Sequence, residues 1–187
     1  MKVRMDAATF KQLINNAKKF TSNMQPIMQY IYLEFAGDQV TATALDGYRI
    51  TTETAKILES TEPFNCFIKP NIPKITSHDT YVTLELDDNR LLVTVGDNIT
   101  GYVQPKDIKY YNTKKFVEDA KTDEPAASVW VSPKLLKEAL ESCNVIRINN
   151  AVKLEISSVE SRPIKIWYGQ RDAENNLKLV LPVKHRD

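Results

Sequence analysis

One plan occurs three times along the chain: a short strand, a helix or helical turn, then three strands, with copies beginning near Met1, Phe64 and Ser128. Self-similarity on this scale constrains the fold more than any single motif, because small modular units bury their apolar faces against one another. The expected class is α+β, made of repeated βαβββ units whose antiparallel sheets carry helices on one face. Such a chain serves as a scaffold or a surface. The 187 residues leave room for one large domain or two small ones, and 42% hydrophobic residues can fill a core.

The first unit is the clearest. Asp6 can cap a helix in which Phe10, Leu13, Ile14, Ala17 and Phe20 recur at three- and four-residue intervals, with Lys11, Asn15, Lys18 and Lys19 opposite. Alternating segments follow at 30–35, 40–45 and 48–57, and Ala36-Gly37-Asp38 supplies the first hairpin turn. The second unit opens with a strand at 64–68. Pro70 and Pro73 then limit any helix to a turn or two. Strands at 81–86, 91–95 and 99–103 complete it. Periodicity fades after Pro105, so 117–127 reads as a linker between a two-unit domain over 1–116 and a third unit over 128–187. In that third unit, 128–131 reads as the leading strand. Ser132-Pro133 signals a helix with Leu135, Leu136, Ala139 and Leu140 inward, and strands follow at 151–156, 164–168 and 177–181.

Several kinds of chemistry are disfavoured. The five glycines are scattered singly, so no phosphate-cradling loop is expected. His78 lies in a loop and His185 in the terminal tail, which suits exposed side chains better than a general base. The carboxylates Glu34, Asp46, Glu85 and Glu155 fall on the polar side of strands or in turns, whereas a two-metal nuclease needs several to converge. Cys66 and Cys143 have no paired spacing and read as reduced, buried thiols. No run approaches the roughly 18 apolar residues of a membrane span, and the N-terminus lacks a signal-peptide core. No cofactor, metal or membrane partner is expected, and the expected location is cytoplasmic.

What remains is surface. With 25 basic and 24 acidic residues, the chain as a whole is not drawn to a polyanion, so any DNA contact must come from a local patch. Lys11, Asn15, Lys18 and Lys19 on the first helix, Lys74 in the second unit, and Lys134 and Lys137 on the third could form one. Phosphate contacts of this kind carry affinity without reading sequence. Lysines on outward helix faces are equally ordinary solubilising residues, and Glu138 and Glu141 lie beside the last two.

At Leu45-Asp46-Gly47-Tyr48-Arg49-Ile50 the sequence resembles the Thr-Asp-Gly-His-Arg-Leu segment of bacterial DNA polymerase III β subunits, the sliding clamps. Other features follow in that family's order. Phe67-Ile68-Lys69-Pro70 resembles its strand into the second unit, and Ile108-Lys109-Tyr110-Tyr111 its Phe-Pro-Asp-Tyr exit segment. Val131-Ser132-Pro133-Lys134-Leu135-Leu136 resembles a strand-to-helix junction of its C-terminal domain, and residues 177–184 its closing strand and tail. The chain departs from the family in offering three units instead of three two-unit domains, in Tyr48 for the usual His, and in Leu45 for the usual Thr.

The resemblance implies a DNA-clamp fold that tethers a polymerase without chemistry of its own, so a non-enzymatic processivity factor bound non-specifically to double-stranded DNA. It also implies a hydrophobic site for linear peptides of DNA polymerase or other clamp-binding proteins. Carried over residue by residue, that site maps onto Met28, Leu45, Gly47, Tyr48, Arg49 and Ile50 in the first domain. From the last unit it takes Ser132, Leu135, Pro163, Val180, Leu181, Pro182, Val183 and Lys184. Arg49 would hold a peptide carboxylate or carbonyl. An odd number of units implies a homo-oligomer, with four chains supplying the twelve units of a ring. The competing expectation is a clamp-fold adaptor or decoy that binds replication proteins, or a host clamp, without encircling DNA.

Overall fold

The computed structural model describes residues 1–60, 62–106, 110–111, 113–122, 127–141, 143, 152–157, 162–168 and 176–183. The chain divides into two compact units, Met1–Phe116 and Val117–Asp187.

In the first unit, β1 (Lys2–Asp6) runs straight into α1 (Ala7–Lys18). The Asp6 carboxylate caps the helix by accepting the Thr9 N–H at 2.7 Å, satisfying an amide that helix geometry leaves without a partner. The helical period turns Ala7, Phe10, Leu13, Ile14 and Ala17 into the core. A meander follows: β2 (Ile31–Ala36), β3 (Gln39–Leu45) and β4 (Ile50–Lys56), then the short β5 (Glu59–Ser60). The second repeat supplies β6 (Phe64–Ile68), β7 (Tyr81–Asp87), β8 (Arg90–Val95) and β9 (Asn98–Val103).

The two repeats exchange their leading strands. One sheet has the order β5-β1-β7-β8-β9 and the other β4-β3-β2-β6, so each meander is completed by the first strand of the other repeat. β1 lies antiparallel to β7 with Val3 opposite Leu84, and β6 lies antiparallel to β2 with Cys66 opposite Leu33. Between the sheets and beneath α1 sits a single core that includes Phe10, Ile14, Leu33, Phe35, Ile68, Leu84 and Leu91. Period-two alternation sends these strand residues inward and their neighbours outward.

Two expectations need correction in this part of the chain. Residues 69–80 contain no helix, only a turn near Ser77-His78, because Pro70 and Pro73 interrupt the ladder of amide donors. The stretch expected as a linker is half helical: α2 (Thr113–Thr122) runs through its first six residues. Phe116, Val117 and Ala120 give that helix a narrow apolar spacing, too short to stand out beside its charges.

In the second unit, α3 (Pro133–Glu141) is followed by β10 (Lys153–Glu155), β11 (Ile164–Tyr168) and β12 (Asn176–Val180), joined as an antiparallel β10-β11-β12 sheet. Ser132 caps α3 weakly, its hydroxyl accepting the Leu135 N–H at 3.5 Å. The core is small. Ile164, Ile166 and Val180 are buried, with Val129, Val131, Leu136, Ala139, Cys143 and Val152 packed around them. Leu136 and Ala139 turn inward as expected, whereas Leu135 and Leu140 are exposed. Among the described residues the expected strand at 128–131 is not part of the β10-β11-β12 sheet, and the Trp130 carbonyl accepts the Val183 N–H at 2.8 Å. Cys66 is buried in the first unit and Cys143 half-buried in the second, both free thiols, and burial pushes Cys66 far above the ordinary thiol range.

Candidate functional site

The Asp46–Arg49 turn, between β3 and β4, is held by one carboxylate. Asp46 Oδ1 accepts the backbone N–H groups of Tyr48 at 3.0 Å and Arg49 at 2.8 Å, while Oδ2 accepts Arg49 Nε at 2.9 Å and Nη2 at 2.6 Å. The Arg49 side chain and these turn amides hold the Asp46 carboxyl below its usual range. Arg49 Nη2 also donates to the Lys19 carbonyl at 3.0 Å, and the guanidinium lies 4.8 Å from the Phe20 ring centroid. It thereby ties the turn to the C-terminal end of α1. Two of the Arg49 nitrogens, Nε and Nη2, are thus engaged within the fold, while its side chain is exposed.

Gly47 adopts φ +92°, a conformation costly for any residue with a Cβ, and a Cβ there would lie 3.7 Å from both Met24 Sδ and Met28 Cε. The turn therefore rests on a methionine surface. A one-turn 3₁₀ helix, Pro26–Gln29, delivers Ile27 and Met28 to a cluster with Leu45, edged by Ile50, Phe67 and Tyr110. By strand alternation this cluster occupies the face of the β4-β3-β2-β6 sheet opposite α1. Tyr110 stacks on Tyr32 at 5.1 Å and sits 5.9 Å from Phe67, and its hydroxyl donates to the Thr43 carbonyl at 3.1 Å. Burial raises its pKa well above the normal phenol range. The Tyr111 hydroxyl reaches Gln25 Oε1. Met24 and Tyr48 remain exposed at the rim. The result is an apolar, aromatic-backed surface with a rigid turn along one side.

The fold thus brings together Met28, Leu45, Gly47, Tyr48, Arg49 and Ile50 of the expected peptide site. Ile27, Tyr32, Phe67 and Tyr110 belong to the same layer and were not anticipated. Their signal is parity, since Tyr32, Thr43, Leu45 and Phe67 all fall on the strand positions that alternate with the core.

The second unit carries the remaining positions. Leu135 is exposed on α3, Pro163 precedes β11, Leu181 and Val183 are exposed, and Pro182 is half-buried. Val180 is a core residue, packed with Ile164 and Ile166. Lys184 lies outside the described residues, as do Ile108, Lys109 and His185.

The basic positions separate in the same way. Lys11, Asn15 and Lys18 form one exposed stripe on α1, with Lys19 at its end. Lys11 Nζ donates to the Ile75 carbonyl at 2.9 Å, which brings the exposed Lys74 beside that stripe. Lys134 and Lys137 on α3 are paired with Glu138 and Glu141 at 4.0 and 3.6 Å. Their charge is locally offset. Among the described residues no cluster of His, Cys, Asp or Glu could hold a metal ion, and no helix is long and apolar enough to cross a membrane.

Exchanged leading strands, two antiparallel sheets over a common core and a helix with a basic outer stripe define the sliding-clamp fold. Solved structures with the same fold include a DNA polymerase III β subunit from Streptococcus pneumoniae, at TM-score 0.79 and 14% identity over 98% of this chain and 50% of that one. The Thermotoga maritima β subunit aligns at TM-score 0.75 and 16% identity, covering 97% of this chain and 50% of its own. The Bacillus subtilis DNA polymerase sliding clamp aligns at TM-score 0.74 and 16% identity, covering 97% and 49%. The chain spans about half the length of the solved structures it matches. No family model matches the sequence, and neither does any curated protein.

Proposed function

We propose that the chain is a sliding-clamp-like processivity factor: a non-enzymatic, self-associating protein that holds double-stranded DNA without reading its sequence and docks linear peptides of a DNA polymerase or other replication proteins. The observation that supports this most is the clamp fold itself, aligned over 97% of the chain. The α1 stripe of Lys11, Asn15 and Lys18, with Lys19 and Lys74 beside it, suits phosphate contact, since ammonium groups release counterions from DNA whatever its sequence. The peptide-docking surface in this reading is the Ile27–Met28–Leu45 cluster with its Asp46–Arg49 rim. Its desolvated apolar centre and exposed Tyr48 match the anchor-and-rim anatomy of binding hot spots. Leu135, Pro163, Leu181, Pro182, Val183 and Lys184 are proposed as peptide contacts of the second unit.

A peptide-binding titration tests the docking half of the proposal. Replacing Met28 by Ala in the full chain should weaken a clamp-binding peptide by about tenfold or more, given the typical cost of truncating an interface anchor. Unchanged affinity for Met28→Ala and Tyr48→Ala, both still folded, rejects this surface as the peptide site.

A further inference from the structure

Strand β9 is the outer strand of its sheet, and among the described residues no strand pairs with its far edge. Its hydrogen-bonding phase follows from one contact. The Gln104 N–H donates to the Asn89 carbonyl at 2.6 Å, so these two residues form a hydrogen-bonded pair. The register of β8 on β9 continues in the same phase, which makes Leu91 with Tyr102, Val93 with Thr100 and Val95 with Asn98 the bonded pairs. Ile99, Gly101 and Val103 alternate with them. Their N–H and C=O groups therefore point away from β8, toward the open edge.

The same three residues share the outer face of the sheet, because the buried Tyr102 turns the other way. Ile99 and Val103 are each 67% exposed. Between them the guanidinium of the exposed Arg90 lies where a Cβ on Gly101 would be, so the cation rests directly on the β9 backbone. Other cations on this face have carboxylate partners, Lys2 with Glu85 at 3.5 Å and Arg4 with Glu59 at 2.6 Å. Among the described residues Arg90 has none. Exposed edge strands are commonly blunted by lysine, proline or a bulge, and β9 carries none of the three.

We propose that β9 is a docking edge for an extended acidic peptide of another protein, which adds antiparallel to the sheet as a further strand. Backbone pairing with Ile99, Gly101 and Val103 supplies affinity, and side chains at alternate peptide positions supply selectivity. The peptide residue opposite Gly101 stands beside the Arg90 guanidinium and is an aspartate or glutamate, whose carboxylate takes charge-assisted hydrogen bonds there. The residues two positions to either side of it cover Ile99 and Val103 and are apolar. The pattern that fits is apolar-x-acidic-x-apolar. Pairing of β9 with β9 of a second copy about Gly101 would set two Arg90 guanidinium groups together, and like charges so placed repel. The edge belongs to a different sheet from the Ile27–Met28–Leu45 cluster, and its role needs no DNA.

An NMR titration of the full chain with the end-blocked peptide Ser-Val-Thr-Glu-Thr-Val-Ser tests this. Amide shifts should concentrate at Ile99, Gly101 and Val103, and the glutamate peptide should bind about tenfold or more tighter than its Ser-Val-Thr-Lys-Thr-Val-Ser counterpart. Arg90→Glu should reverse that preference. Ile99→Pro removes an edge donor that takes no part in the β8 ladder, so this variant should stay folded and bind the glutamate peptide about tenfold more weakly. Binding should persist in Met28→Ala, so failure of the Ile27–Met28–Leu45 surface as a docking site leaves this edge standing. No binding, equal affinity for the two peptides, or shifts centred on the Asp46–Arg49 turn overturns the proposal. So does slow amide exchange at Ile99, Gly101 and Val103 before any peptide is added, which would place a second copy of the chain on β9.

Discussion

Asp46 shows how one side chain can set the shape of an exposed turn. It accepts four hydrogen bonds from the turn that it begins, and only its ionised form can accept all four. Because its folded pKa is depressed, its contribution is present above the unfolded carboxylate range and is lost as pH falls through the folded value. Asp6, held down by the Thr9 contacts at the start of α1, and Asp79, held down by Thr76, act with the same sign. Urea midpoints should therefore fall as pH drops below about 4, and the Asp46→Asn variant should lose less between neutral and acid pH than the parent. An identical acid slope in the two proteins contradicts this role. Gly47→Ala should cost about 1 kcal/mol through its left-handed φ and should weaken peptide binding together with stability. The sequence made Gly47 and the turn legible through the motif alone. It did not reveal that Arg49 meets Asp46, because a partner three residues away looks the same in sequence whether or not the two groups touch.

At the scale of elements, α1 was readable because an apolar period of three and four has few competing explanations, and the meanders were readable from alternation. The exchanged pairing was not. Nothing in Lys2-Val3-Arg4-Met5-Asp6 distinguishes β7 from β2 as its neighbour, since strand pairing depends on long-range packing instead of local pattern. The same limit hid α2 inside an expected linker. Gln104 is an element-level device that composition could not expose, a side-chain amide completing the edge of β6. Gln104→Ala should leave the Phe67 N–H and carbonyl unpartnered and cost about 1–3 kcal/mol in chemical denaturation. A loss below about 0.5 kcal/mol means that water satisfies that edge. Phe10→Ala, in the fully buried face of α1, should cost about 3–5 kcal/mol, whereas Leu135→Ala on the exposed face of α3 should fall within about 0.5 kcal/mol in the same assay.

For the whole molecule, the repeat pattern and the order of weak motifs sufficed to indicate the clamp fold, and the alignment with full-size β subunits bears that out at the level of fold. Function at this scale is a matter of how charge is distributed. Lys18 and Lys74 stand exposed beside one helix, while Lys134 and Lys137 face glutamates of their own helix. In salt titrations of DNA binding, Lys18→Ala should lower the log–log slope by about 1, and Lys137→Ala should change it little. The central claim is that this chain tethers to DNA by its architecture. Its most direct test is retention on nicked circular plasmid during gel filtration, followed by linearisation of the same sample. The account predicts that the protein co-elutes with the circle at moderate salt and is released when the DNA is cut; equal retention on both forms, or none on either, contradicts it.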